Sequence, residues 1–432
     1  MTLTLTPAEL RASWPGLSTL DRVDVFRHGD RVFTHDLFIT LPAPEQAAVL
    51  LAMEAPERRV WFRLLPPDDA ADLIQELGTE HREPFLELLD PVTRGEVRAL
   101  LAYADDDAAG LMTPRFARLR PDMTVNEALR YLQRQAREKT ETIYCAYVLG
   151  PDQRLMGVVS FRDLFTAPEG PISQVMRTKV VTVPETMDQE AVAKVIARHD
   201  LHAVPVVDTA GRMKGIVTVD DIVDVLRSEA TEDIQKLGGM EALESPYFRT
   251  TLLEMVRKRA GWLTILFVGE MLTTNAMARY EDDIAKAVVL ALFVPLIISS
   301  GGNTGSQAST LIIRSMALGE VGLGDWSRVV RRELIAGLVL GAILATLGLL
   351  RIVVGQTLFG NYGAEWLAVG ATVAVSLVGV VTWGTIVGSM LPFAIRRAGF
   401  DPASASAPFV ATLVDVSGLI LYFTVGSFFL NL

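Results

Sequence analysis

The chain has 432 residues, half of them hydrophobic, and a net charge of −11. A negative field of this kind repels phosphates and attracts cations, which argues against a nucleic-acid partner. Cys145 is the single cysteine, so an intrachain disulfide is excluded and a reducing compartment fits.

The charge is unevenly placed. Residues 246–432 carry 13 Lys and Arg against 11 Asp and Glu, whereas the first 245 carry 27 against 40. Together with a positive mean hydropathy, this divides the chain into an acidic soluble half and a membrane half embedded in a lipid bilayer. The opening MTLTLTPAELRASWPG has no basic stretch followed by an apolar one, so it reads as no signal peptide and places the soluble half in the cytoplasm. Residues 1–108 read as an all-α domain. Apolar residues recur at helical spacing between Pro44, Pro56, Pro66, Pro67, Gly78 and the pair Asp90 and Pro91, which predicts short helices in a superhelical bundle. Acidic side chains on its outer faces, including Asp68 and Asp72 at i, i+4, are either solvated charge or part of a cation site shared with another domain.

Residues 109–170 and 171–228 are two copies of one unit. LMTPRFARLRPDMTVNEALRYL aligns with VMRTKVVTVPETMDQEAVAKVI, and RLMGVVSFRDLF with RMKGIVTVDDIV. Each copy predicts a short strand, a helix, two apolar strands and a closing helix. That order resembles the cystathionine-beta-synthase (CBS) domain, and the two copies resemble the α/β tandem CBS pair, a regulatory module. Ser160 with Asp163, and Thr218 with Asp221, match the ribose-binding signature of some such pairs, with ATP or another adenine nucleotide as the ligand. The same residues match a capping box that opens the closing helix, and that local bonding needs these residue types with or without a nucleotide.

The second copy is the more acidic. Asp188 and Glu190 start one helix, Asp200 ends it, and Asp221, Asp224, Glu229, Glu232 and Asp233 follow along the helix that leaves the domain. Spacings of three and four put like charges on shared faces, where they repel unless cations or another subunit neutralise them. His199 and His202 stand at i, i+3, but no cysteine or third histidine lies near them in sequence. Hard carboxylate oxygens point instead to magnesium or calcium.

Residues 229–259 form a connecting helix and linker, in which Ser245 and Pro246 open a helix. Residues 260–432 predict an all-α transmembrane domain of five spans, at about 260–279, 285–313, 329–355, 366–395 and 403–430. With the first end inside, ten Lys and Arg, including Arg249, Arg257, Lys258 and Arg259, flank the cytoplasmic ends against three outside, Arg279, Lys286 and Arg351. This orientation puts the N-terminus in the cytoplasm and the C-terminus outside a multi-pass membrane protein. PLIISSGGNTGSQASTLIIRSMALGE interrupts the second span with small and polar residues. Gly301, Gly302 and Gly305 permit close helix approach, and Asn303, Ser306, Gln307 and Ser309 can bond across it, as part of a pathway or of a purely structural contact. Glu270 and Glu333 are expected to pair with a loop arginine, and Glu365 to lie at the interface. In DPASASAPFVATLVDVSG, Asp401 caps a helix predicted to start near Pro402. Asp415 then falls roughly 20 Å along it, near mid-bilayer, where a carboxylate must face protein, water or a cation.

These membrane stretches, the acidic helical N-terminal part and the CBS pair occur in the same order as in the MgtE family of magnesium channels, and the chain resembles that family over essentially its whole length. The resemblance implies a homodimer whose fifth spans line a pore on the two-fold axis, with Asp415 as the pore carboxylate. It implies that Asp188, Glu190, Asp200, Asp221, Asp224, Glu229, Glu232 and Asp233, with Asp68 and Asp72, form a magnesium sensor that closes the pore when the ion is plentiful. Ala407 replaces the family's usual glycine before Pro408. Two transport or binding alternatives stay open: an ion-coupled exchanger and a nucleotide-sensing scaffold. An enzyme is disfavoured, since the chain holds no G-x-x-x-x-G-K-[ST], H-E-x-x-H or G-x-S-x-G.

Overall fold

The structure, a computed structural model, describes residues 9–10, 13–135, 144–243, 247, 250–281, 288–360, 362–363 and 365–430. Ser245, Pro246, Arg249 and Lys286, which the sequence reading uses, lie outside the described residues. The chain forms two compact units, residues 1–228 and 229–432.

The first unit begins with seven short helices among the described residues: α1 (Thr19–His28), α2 (Arg31–Ile39), α3 (Ala43–Ala52), α4 (Ala55–Phe62), α5 (Pro67–Gln75), α6 (Thr79–Leu86) and α7 (Pro91–Leu100). Ser18, Asp30 and Asp90 accept first-turn amides, and prolines occupy the first positions of α3, α4, α5 and α7, where no helical amide bond is lost. The far ends are closed by arginines of the following helix. Arg58 of α4 donates to the carbonyls of Leu50 and Met53, Arg82 of α6 to Gln75 and Leu77, and Arg94 of α7 to Leu86 and Leu89. One device thus satisfies orphan carbonyls at three of the corners.

The repeat folds twice in the same way. Strands β1 (Arg118–Leu119), β2 (Cys145–Leu149) and β3 (Leu155–Ser160) form one sheet with α8 (Val125–Gln135), α9 (Phe161–Thr166) and α10 (Ile172–Val175); β4 (Val183–Pro184), β5 (Ala203–Val207) and β6 (Met213–Thr218) form the other with α11 (Gln189–His199) and α12 (Val219–Leu237). In each sheet the first two strands are parallel, the last two antiparallel, and the register shifts at the equivalent point, between Val148 and Leu149 and between Val206 and Val207. The copies exchange their lead-in segments: Thr113 bridges Ile216 of the second sheet, and Arg177 bridges Val158 of the first.

The apolar core is not divided as the domains are. Leu50, Leu73, Ile74 and Phe85 of the helical part belong to one buried cluster with Val192, Ile196, Val204, Val217 and Ile222 of the second repeat, whereas the first repeat has its own core around Leu132, Val148 and Val159. The chain between α7 and β1 makes the join, with Ala108 and Ala109 donating to the Met187 and Glu185 carbonyls.

The second unit contains α13 (Leu252–Arg279), α14 (Val288–Ala291), α15 (Val294–Ala317), α16 (Trp326–Phe359), α17 (Trp366–Arg397) and α18 (Ala407–Leu430). Four helical segments among the described residues are long and apolar enough to cross a membrane: Val288–Ala317, Leu323–Phe359, Trp366–Arg397 and Ala407–Leu430. The expected first span is the 28-residue helix α13. It carries Glu270 and Asn275 within its apolar stretch, and so is less apolar than the other four.

The last span starts later than its sequence predicts. Asp401 caps only the 3-10 turn Pro402–Ser404, through Ala403 N at 2.9 Å. Ala405 then leaves helical geometry at ψ 52°, and α18 begins at Ala407. Asp415 is therefore about 12 Å into its helix rather than 20. Pro408 explains the shift, because it biases the residue before it away from helical backbone and is best placed in a first turn.

Candidate functional site

Asp415 is half-buried on α18. The helix that faces it is α15, where a Cβ added at Gly302 would lie in ordinary contact with Asp415 Oδ1, at 3.4 Å. Ser306 donates to the Ala407 carbonyl at 3.1 Å and Ser309 to the Ala405 carbonyl at 2.9 Å. These bonds meet the polar backbone where the helix fails to start, which is how irregular chain is tolerated beside apolar spans. Asn303, expected to bond across, turns back to Ser299 on its own helix.

The small residues of α15 also set a second contact that the sequence reading missed. Gly301 and Gly305 meet Gly384 and Gly388 of α17, and a Cβ on either α17 glycine would collide with the backbone oxygen of its partner. Gly384 and Gly388 stand four apart, the spacing that lets two helices approach backbone to backbone. That spacing was the available signal.

Among the described residues Asp415 forms no salt bridge, and the acid nearest to it electrostatically is Glu270 of α13. The expected pairing of Glu270 and Glu333 with arginine is not present: neither forms a salt bridge among the described residues. Both lie within long helices, Glu270 in α13 and Glu333 in α16. Glu365 stands exposed at the start of α17, as an interfacial residue should.

The acidic residues of the first unit fall into two groups. Several are spent locally. Asp188 caps α11 by accepting from Glu190 N and Ala191 N, Glu190 pairs with Lys194 at 2.6 Å, and Asp200 closes α11 in the left-handed region at φ 49°. Others face one another: Asp69 and Asp72 on α5 lie in the field of Asp220, Asp221 and Asp224 on α12. Desolvation and repulsion by Asp220 and Asp224 push the Asp69 carboxyl up to about 6. Asp72 is open to solvent at its outer edge, but dense surrounding protein, then repulsion by Asp69, Asp221, Asp105 and Glu76, push it up to about 7. Asp221 is likewise pushed up to about 7 by burial and by Asp220 and Asp69, against the opposing bonds from Thr218.

The structure places Asp68 differently from its expected outer-face position. Asp68, expected on an outer face, is only 5% exposed, because the apolar face of α5, with Ala71, Leu73 and Ile74, turns it inward. Asp69, three residues before Asp72, is the carboxylate that shares the face toward α12. Among the described residues no three carboxylate, histidine or cysteine side chains converge as a group that could hold a metal ion, and the facing acids repel one another. His202, weighed as a metal ligand, instead stacks on Tyr144 with ring centroids 4.9 Å apart.

In unit two, Glu232 and Lys236 form an ion pair on α12, and Lys236 also binds Asp401. Glu229 and Asp233 lie on the same helix. The nucleotide signature residues are satisfied within their own turns. Ser160 caps α9 by accepting from Asp163 N at 3.0 Å, while Asp163 holds Arg177 at 3.0 Å. Thr218 donates its hydroxyl and its amide to Asp221. Each pair does the work of a helix cap.

Comparison with known proteins agrees with the order of these parts. Residues 5–106 match the MgtE intracellular N domain, residues 108–170 and 172–228 match the CBS domain, and residues 294–425 match MgtE, described as a divalent cation transporter. The chain is 41% identical over 429 residues to the magnesium transporter MgtE of Thermus thermophilus, covering 98% of this chain and 93% of that one. It is 35% identical to the magnesium transporter MgtE of Enterococcus faecalis, over 92% of this chain and 93% of the relative. A crystal structure of the cytosolic domain of the Mg2+ channel MgtE in complex with ATP is 40% identical, with a TM-score of 0.48, covering 51% of this chain and 91% of that chain. With these relatives matched over more than nine-tenths of both chains, the chain belongs to the MgtE family of divalent cation transporters.

Proposed function

We propose that this protein moves magnesium across a membrane as a homodimer, past the Asp415 carboxylates of its two subunits, and that cytosolic magnesium closes the path. The observation that carries the reading is Asp415 itself: a carboxylate within an apolar helix, packed beside Gly302 of α15 and left without a basic counter-charge among the described residues. Magnesium sheds its water reluctantly. Two acids related by a two-fold axis would hold it through its hydration shell, selecting by charge and size while binding weakly enough to release it.

Closure follows from the facing acids. Two unit charges about 4 Å apart repel by on the order of 4 kcal/mol at an effective dielectric of 20. Magnesium between α5 and α12 offsets that repulsion, so several weak sites together shift the population steeply toward the compact form. In this reading Asp69, Asp72, Asp221 and Asp224 respond to the ion, with Asp188, Glu190, Asp200, Glu229, Glu232 and Asp233 as further acids of the sensor, and α12 conveys the change to the pore. The N-terminus is cytoplasmic and the C-terminus outside. Magnesium flux into liposomes tests the reading: wild type conducts, and Asp415→Ala loses flux by at least about tenfold while retaining its fold. Full flux through Asp415→Ala sinks it.

A further inference from the structure

The connecting helix does not end in a free loop. Lys236, in the last turn of α12, extends its Nζ to Asp401 Oδ2 at 2.7 Å and also holds Glu232 one turn back. The other oxygen of Asp401 accepts the Ala403 amide at 2.9 Å and so orders the Pro402–Ser404 turn. That turn leads directly into α18 and Asp415. One carboxylate is therefore shared between the end of α12 and the base of the helix that carries the site.

Three uncharged contacts seat the same junction. Gly239, at φ 72°, brings the backbone so close that a Cβ would meet Trp262 at 2.8 Å and Pro408 at 3.2 Å. Trp262 in turn donates to Ser406 Oγ at 3.1 Å, and Leu237 packs on Ile313, Ala403 and Ala405. Beside them lies a cavity of about 420 Å³ lined in part by Glu232, Lys236, Glu241 and Trp262. Among the described residues the Lys236–Asp401 bond is the one ion pair that ties α12 to the turn before α18.

We propose that Lys236 is a positioning residue of the gate, whose bond to Asp401 latches the connecting helix to the base of α18 in the closed state. The proposal rests on the magnesium-gated reading above. A seated apolar contact resists sliding but gives no fixed register, whereas a charge-assisted hydrogen bond from Lys236 to one carboxylate oxygen of Asp401 does. Breaking it leaves the pore intact and makes closure harder.

The test uses the full-length protein in planar bilayers, reading open probability against cytosolic magnesium, with single-channel conductance as the measure that general damage would lower. Lys236→Met raises the magnesium concentration for half-closure by about threefold at unchanged conductance. Asp401→Asn, which keeps an oxygen for the Ala403 amide, does the same, Lys236→Arg restores the wild-type midpoint, and the double variant K236M/D401N shifts no further than either single one. Lys236→Gln supplies a second reading if Lys236→Met does not fold. Midpoints equal to wild type, or single shifts that add in full in the double variant, overturn the latch. A wild-type protein that never closes with magnesium overturns the gating reading instead, so the two failures are distinct.

Discussion

Asp415 is readable from sequence as a residue type, whereas its distance from the start of its helix is not. An acid inside LVDVSGLILYF is visible to anyone scanning for charge in an apolar run, and its cost in lipid makes it a functional residue by default. The helix start is where reading failed, because Asp401 and Pro402 form a capping signal for a one-turn 3-10 segment as well as for an α-helix, and Pro408 offers a second start. Gly302 and Gly388 differ in what an added methyl would meet. At Gly302 an added methyl meets Asp415 Oδ1 at ordinary contact distance, but at Gly388 it strikes the Gly305 carbonyl. Gly388→Ala is therefore expected to destabilise the protein by about 1–3 kcal/mol through forced separation of α15 and α17, while Gly302→Ala leaves stability within about 0.5 kcal/mol. Thermal melting in detergent checks both, and equal melting temperatures for the two variants contradict the crossing geometry.

At the scale of elements, the opposed faces of α5 and α12 make a pH prediction. Asp69, Asp72 and Asp221 are held above the usual carboxylate value, at about 6, 7 and 7. The folded form thus binds more protons than the unfolded chain between the two values, so its advantage is complete below about pH 4 and is lost as pH rises through 6 to 7. In chelator, the unit is expected to loosen as pH rises from about 4 to about 7, and magnesium at pH 8 to restore it. Protease sensitivity of the full chain measures this. Asp72→Asn, which removes one repelling charge, should tighten the ion-free form and reduce both the pH and the magnesium response; a response unchanged from wild type would count against the facing acids as the sensor. The i, i+3 and i, i+4 spacings made the acidic faces of α12 legible. Their partner Asp69 was not, since choosing between Asp68 and Asp69 needs the rotation of α5, which its apolar face fixes only once the core is assembled.

For the whole molecule, the helical part and the repeats were separable by pattern: proline-punctuated helices in one, a duplicated strand and helix order in the other. What pattern could not reveal is that the helical part and the second repeat share one core, because that depends on which apolar faces meet and not on how they are spaced. Ile222 is 3% exposed within the shared cluster. Ile222→Ala is expected to cost about 2–5 kcal/mol and to weaken the helical part with the second repeat as one cooperative block. Hydrogen exchange reads this out as loss of protection in α5 and α7 alongside β5 and β6; loss confined to the second repeat would show the two to be independent.

The crossed bridges of the repeats, Thr113 to Ile216 and Arg177 to Val158, carry a consequence for ancestry. Each half lends the other the piece that covers its edge, so a lone copy would expose an unsatisfied border prone to sticking to its own kind. Duplication of such a unit is then a way of making a symmetric dimer permanent, and the descendants inherit the halves together: either sequence is free to diverge, as the acidic second copy has, but neither can be discarded.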